Sequence, residues 1–199
     1  MKNLILSFCF LTIIFFNIQA DDLINLVQNQ YLNTKTFQAE LLQVNIFSMQ
    51  NTQLESTGNI FIDNSNLVIE YTKPYYQFIK STNEFLTIYS KNENTAFISE
   101  NNKQVLTTIL HFQSLVSQDL QFISLSDNLQ KYKVLKPVEP LTSLYIFIDI
   151  KTNLINKISY TDDMDNLIIL NFLNQRLNKP LTKPIESFII PSNTNIIYQ

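Results

Sequence analysis

The chain has 199 residues, with one Gly, one His, one Cys, no Trp and a formal net charge of −3. Arg176 is its only arginine, so the clustered cations that phosphate binding needs are missing, and nucleic acid is excluded as a partner. Cys9 lies inside an N-terminal apolar run, which rules out a disulfide framework and leaves burial to supply the stability.

The first segment carries one Lys, an apolar run from Leu4 to Phe16, and Ile18-Gln19-Ala20 before Asp21-Asp22. That is the form of a secretory signal peptide: the apolar run is short for a membrane span, and a small residue sits where cleavage would follow. An uncleaved anchor is the other reading. The domain organisation expected is a leader over residues 1–20 and a single domain over 21–199, large enough for a real core. Cys9 is not at the cleavage point, so it is not the lipid-accepting cysteine of a lipoprotein. The scarcity of Gly beside abundant Asn implies that turns are written in Asn and Asp, which tolerate the left-handed backbone conformation. Gly58 then stands out and marks a bulge or a close approach by a neighbour.

Asp21 and Asp22 cap a helix expected to run to about Asn33, with Leu23, Leu26, Val27, Gln30 and Tyr31 at three- and four-residue spacing. Thr36 to Phe47 reads as a long first strand. Phe37, Ala39 and Leu41 share one parity and Leu42, Val44 and Ile46 the other, so it contains a bulge or is buried on both sides. The chain is organised around Gly58 to Tyr89, four short strands with period-two alternation separated by Asn64-Ser65-Asn66 and Thr82-Asn83-Glu84. Bulky side chains occur on both parities there, which suits a sheet with no fully wet face. Thr95 to Ser99 adds a further strand.

From Asn102 to about Ser117 the period changes. Val105, Ile109, Phe112 and Val116, widened by Leu106, Leu110 and Leu115, give a helix with a broad apolar face that lies across the sheet or caps an opening. Alternation resumes at Leu120 to Leu125, Gln130 to Leu135, Ser143 to Ile150, Leu154 to Thr161 and Leu167 to Leu173. The tail, with Pro180, Pro184 and Pro191, reads as loops around one short edge strand at Glu186 to Ile190. The fold class expected is mainly β: about eleven antiparallel strands in a sheet that curls or closes, two helices, and an interior able to hold a ligand.

The catalytic inventory is poor, and no enzyme activity, cofactor or metal is expected. His111 has no Cys or Gly-rich nucleophile turn to serve and reads as a helix-surface or lid residue. Asp162, Asp163 and Asp165 are the only acidic cluster and read as a solvated turn. Glu70 and Tyr71 either aim into a pocket together or divide into an outward Glu and a core Tyr. Phe37, Tyr71, Phe78 and Phe112 either line a cavity or pack on one another.

Thr36-Phe37-Gln38-Ala39-Glu40-Leu41-Leu42-Gln43, then Gly58, then Leu67-Val68-Ile69-Glu70-Tyr71-Thr72-Lys73-Pro74, then Leu86 and Tyr89, in this order, resemble the pattern of the LolA family of outer-membrane lipoprotein carriers. The tail from Phe188 to Ile197 resembles that family's closing phrase. The resemblance spans the expected mature chain. It implies an unclosed barrel of eleven strands with a helical lid over a hydrophobic cavity, in a soluble monomeric periplasmic carrier that takes acylated lipoproteins from an inner-membrane transporter of LolCDE type to an outer-membrane acceptor of LolB type. A periplasmic lipid-binding or envelope-sensing module of the same fold, which does not deliver lipoproteins, is the alternative. A secreted hydrolase of unrecognised type is a third reading. The cavity and lid residues are then Phe37, Ala39, Leu41, Ile60, Ile62, Leu67, Ile69, Tyr71, Phe78, Leu86, Ile88, Leu106, Ile109, Leu110, Phe112 and Val116. The chain departs from the family pattern in three places. The family's Arg-Pro, whose Arg ties the lid shut, falls near Asp63-Asn64; its Asp-Gly turn is Thr82-Asn83; and its strand Trp is Ile69. The lid must therefore be held differently here.

Overall fold

The computed structural model describes residues 22–100 and 110–198. The leader expected over residues 1–20 lies outside them, as does the first part of the internal helix with Val105, Leu106 and Ile109.

Twelve strands form one sheet: β1 (Thr36–Phe47), β2 (Thr52–Asp63), β3 (Asn66–Lys73), β4 (Gln77–Ser81), β5 (Phe85–Ser90), β6 (Thr95–Glu100), β7 (Leu120–Ser126), β8 (Leu129–Val134), β9 (Ser143–Asp149), β10 (Leu154–Thr161), β11 (Leu167–Leu177) and β12 (Asn195–Tyr198). The order β12-β6-β5-β4-β3-β2-β1-β11-β10-β9-β8-β7 leaves β12 and β7 as edges, so the sheet is not closed. Strand β1 joins the two halves. It pairs with β2 along its whole length and with β11 on its other side, so both meanders hang from it. All pairings are antiparallel except β12 on β6.

Two helices, α1 (22–32) and α2 (Phe112–Val116), serve the concave face. In α1 the buried residues are Leu23, Val27 and Tyr31, a step of four that keeps one stripe on the sheet, while Leu26 stays exposed. The expectation for turns holds. The described non-glycine residues with positive φ are all Asn or Asp, among them Asn51, Asn64, Asn94, Asn128 and Asn153 between successive strands.

Over its second half the first strand is half-buried on both faces, with Leu42, Val44 and Ile46 on one and Gln43 and Asn45 on the other. The β1–β11 irregularity sits on the other strand. Gln38 pairs with Arg176 and Glu40 with Leu173, so β11 carries the extra residue, near Asn174 with φ 50°.

The tail differs from expectation. Ile185–Ser187 is a single 3-10 turn, not an edge strand, and the edge strand is β12. Residues 185–188 lie over the convex face of the first meander, where Ile185 and Phe188 pack with Phe61, Val68, Phe78, Tyr89 and Ala96. They are held by side-chain burial rather than by a strand ladder. This second cluster is why the meander carries apolar residues on both parities. The main core lies on the concave side, between the sheet and the two helices.

Candidate functional site

Register places the concave side chains in rows. Ile60, Ile69, Ile79 and Ile88 are successive partners across β2 to β5. Gln43, Leu170, Ile158, Ile146 and Tyr132 run across β1, β11, β10, β9 and β8. The inside of the curve is thus an almost continuous apolar wall.

The helices close one end of it through an aromatic knot. Phe112 inserts its ring against Phe37 at 4.7 Å between centroids and against Tyr31 and Phe172 at 5.3 Å each, mostly in edge or tilted contact. The Tyr31 hydroxyl accepts the Ile155 N–H at 3.0 Å, and burial drives its pKa well above the ordinary tyrosine value. Among the described residues, side-chain amides tie α2 down. The Gln113 side-chain amide donates to Thr34 O at 3.0 Å and Leu32 O at 3.4 Å, and the Gln28 amide donates to Val116 O at 2.8 Å.

Two open regions flank this knot. At the helix end, a narrow slot of about 30 Å³ lies between Tyr31, Phe37, Ile62, Leu110 and Phe112. It widens into a polar cleft of about 480 Å³ bordered by Lys35, Asn64, Ser65, His111 and Gln113. At the opposite mouth, a groove of about 400 Å³ is bordered by Gln43, Ser56, Tyr71, Gln77 and Ile79. There the Tyr71 hydroxyl donates to Gln43 Oε1 at 2.6 Å. The hollow expected beneath the helices is therefore mostly filled by their own rings. Free space of similar size lies outside the rings at each mouth, and at the far one the lining mixes amides, Lys73 and Glu93 with apolar side chains.

No protein-family model and no curated protein matches the sequence. Solved structures do match. An uncharacterized conserved protein from Thermus thermophilus aligns with a TM-score of 0.58 at 11% identity, covering 91% of this chain and 99% of that one. The LolA superfamily protein NE2245 from Nitrosomonas europaea aligns at 0.46 and 7% identity, covering 85% and 97%. The Pseudomonas aeruginosa MucA/MucB complex aligns at 0.47 and 12%, covering 90% of this chain and 63% of that one. The likeness to the Thermus protein is one of fold: an unclosed, almost wholly antiparallel sheet curled around two short helices. Identities this low make that a statement about fold alone.

Within this unclosed barrel, Phe37, Ala39, Leu41, Ile60, Ile62, Leu67, Ile69, Tyr71, Leu110, Phe112 and Val116 come together in one buried cluster. Leu86 and Ile88 share the same face by register, Leu86 opposite Ser81 and Ile88 opposite Ile79. Phe78 does not join them. It is on the convex face against Tyr89 and Phe188, because Gln77 and Ile79 take the inward parity of β4. Glu70 and Tyr71 do not aim into one pocket either, since consecutive strand residues point to opposite faces. Glu70 is buried under the tail, where Lys183 Nζ reaches Oε1 at 2.7 Å and the Tyr76 hydroxyl donates to the same oxygen at 3.2 Å.

His111 sits between slot and cleft, where burial lowers its pKa. The acidic cluster is a turn. Asp162 is slightly desolvated, but hydrogen bonds from Asn166 and Met164 win and hold its carboxyl below the usual range. No group of three or more potential metal ligands occurs among the described residues, and none of their helices is long and apolar enough to cross a membrane. Sequence reasoning left out Tyr31 and Phe172 from the site, although each carries an aromatic at a position whose periodicity points inward. It also left out Gln43 and Gln77, whose polarity masked their inward parity.

Proposed function

We propose that this protein is an exported carrier that shields the acyl chains of lipoproteins between the two membranes of an envelope. It would receive them from an inner-membrane transporter of LolCDE type and pass them to an outer-membrane acceptor of LolB type. The observation that carries this reading is the aromatic knot: a short helix seated on a curved apolar wall by rings and, among the described residues, by the amides of Gln28 and Gln113. An acyl chain in water costs about 25 cal/mol per Å² of exposed apolar surface, so a soluble carrier has to cover it. The same rings that fill the empty barrel would be replaced by chain on loading. One apolar contact then stands in for another, and loading and release stay close to balance.

The test is mass spectrometry of what co-purifies with the protein from the envelope fraction, alongside a Phe112→Glu variant. Triacylated lipoprotein on the wild type and none on the variant, with the β-sheet circular dichroism of both unchanged, is the expected result. Free phospholipid alone would point instead to a lipid-binding or sensing module that delivers nothing. Equal lipoprotein loading of the variant would remove the helix from the mechanism.

A further inference from the structure

The helix-capped mouth is sorted by polarity along its depth. The slot below is walled by Tyr31, Phe37, Ile62, Leu110 and Phe112, and the cleft above by polar residues. Thr34, Asn64, His111 and Gln113 border both, so one space passes into the other. Among the described residues no carboxylate borders either space. The acidic residue on the adjoining turn, Asp63, already accepts the Asn64 side-chain amide at 2.8 Å. Lys35 is exposed beside the cleft and has no ion pair among the described residues. The other polar groups at the rim are partly committed: the Thr34 hydroxyl donates to Gln30 O, and the Gln113 amide to Leu32 O and Thr34 O. The His111 imidazole is half-buried and makes no hydrogen bond among the described residues. Among the described residues, one cation and one imidazole without a hydrogen bond thus stand over an apolar slot, with no carboxylate between them.

We propose that this mouth binds a single-chain amphiphile with an anionic head, a carboxylate or a phosphate held between Lys35 and His111, its alkyl chain entering the slot as the Phe112 ring gives way. A neutral hydroxyl head would gain only ordinary hydrogen bonds from the two nitrogen groups, whereas an anion would draw a stronger, charge-assisted contact from each. The anion would also favour the protonated imidazole, reversing the effect of burial on His111. The inference rests on the reading that the barrel interior accepts an acyl chain.

The full chain is titrated calorimetrically with decanoate, decyl phosphate, decanol and inorganic phosphate, and the ring protons of His111, the only histidine, are followed by NMR. Decanoate and decyl phosphate are expected to bind about tenfold more tightly than decanol, with the His111 titration moving to higher pH on binding. The Lys35→Ala/His111→Gln double variant should bring both anions down to the level of decanol. Binding of all three chains with equal affinity overturns the head-group site while leaving the acyl-chain reading intact. Phosphate binding as tightly as decyl phosphate also overturns the amphiphile, since the chain would then add nothing. If no chain binds at all, the carrier reading falls and the inference with it.

Discussion

Gly58 faces the backbone of Glu70 so closely that a Cβ built on it would stand 1.9 Å from the Glu70 carbonyl oxygen. The Glu70 carbonyl carbon and the Tyr71 Cα would be 2.8 and 2.9 Å away, and all three atoms are main chain. The approach is set by a bulge: Thr57 pairs with Lys73 but Gly58 with Tyr71, which leaves Thr72 as the extra residue. Because no flexible side chain can yield, Gly58→Ala has to move a strand. We expect a loss of about 3 kcal/mol, read as a lower urea midpoint at unchanged slope. An unchanged midpoint would show that β2 and β3 are not in this register.

The convex strap makes a second case. Lys183 lies over the Phe188 ring at 4.0 Å while it meets Glu70, whose side chain is 10% exposed. Lys183 itself is 37% exposed, so solvent screens the pair and its worth is below that of a fully buried one. Lys183→Met should cost about 1–2 kcal/mol, because it leaves a buried carboxylate with only the Tyr76 hydroxyl. Glu70→Gln should cost less, and the double variant less than the two singles together. Strict additivity in that double-mutant cycle would mean that the two side chains do not interact in solution.

Much of the fold is legible because the chain obeys local rules. Thr36 to Phe47 and Leu154 to Thr161 are bounded correctly from alternation and turn residues alone. Asn64 and Asn153 mark hairpins because Asn accepts positive φ where Gly is absent. The failures share a cause, which is that long-range packing decides between two local options. Phe78 and Ile79 are both apolar, so β4 alone does not say which of them faces inward. Residues 186–190 read as an edge strand because they are apolar and flanked by prolines, yet Phe188 is held by ring contacts with Phe61 and Phe78. The separation of Glu70 from Tyr71 is readable from period two. The groove around Gln43 and Gln77 is not, because a polar residue at an inward position of a curled sheet looks like a surface residue until the sheet curves around it.

The side-chain bonds of α2 give it a specific test as a separate lid. Gln113 and Gln28 supply the amide bonds that hold α2 to residues 32–34 and to α1. Each such bond contributes about 0.5–1.5 kcal/mol. In the Gln28→Ala/Gln113→Ala double variant the amides of α2 should exchange about tenfold faster with deuterium, while those of β1 and β11 keep their protection. Equal acceleration across β1 would show that helix and sheet open as one unit and that no separate lid exists.

The tyrosines make the fold sensitive to alkali in a defined direction. Burial, reinforced by the charge of Glu70, pushes Tyr76 up from 10.0 to about 12, and burial with Asp162 pushes Tyr160 up to about 12. Tyr31 and Tyr71, more deeply buried, are raised further. A group whose folded pKa exceeds its unfolded value contributes stability that is complete below the unfolded pKa and is lost as pH rises toward the folded one. The urea midpoint should therefore hold steady up to about pH 10 and fall between about pH 10 and 12, as the unfolded chain releases phenolic protons that the native protein retains. Tyr76→Phe, which removes one of these groups from an accessible site beside Glu70, should make that fall shallower without changing where it begins. A midpoint that stays level through this window would mean that these hydroxyls are solvated in the native state, and the packing of Tyr31 and Tyr71 against the barrel wall would be refuted along with it.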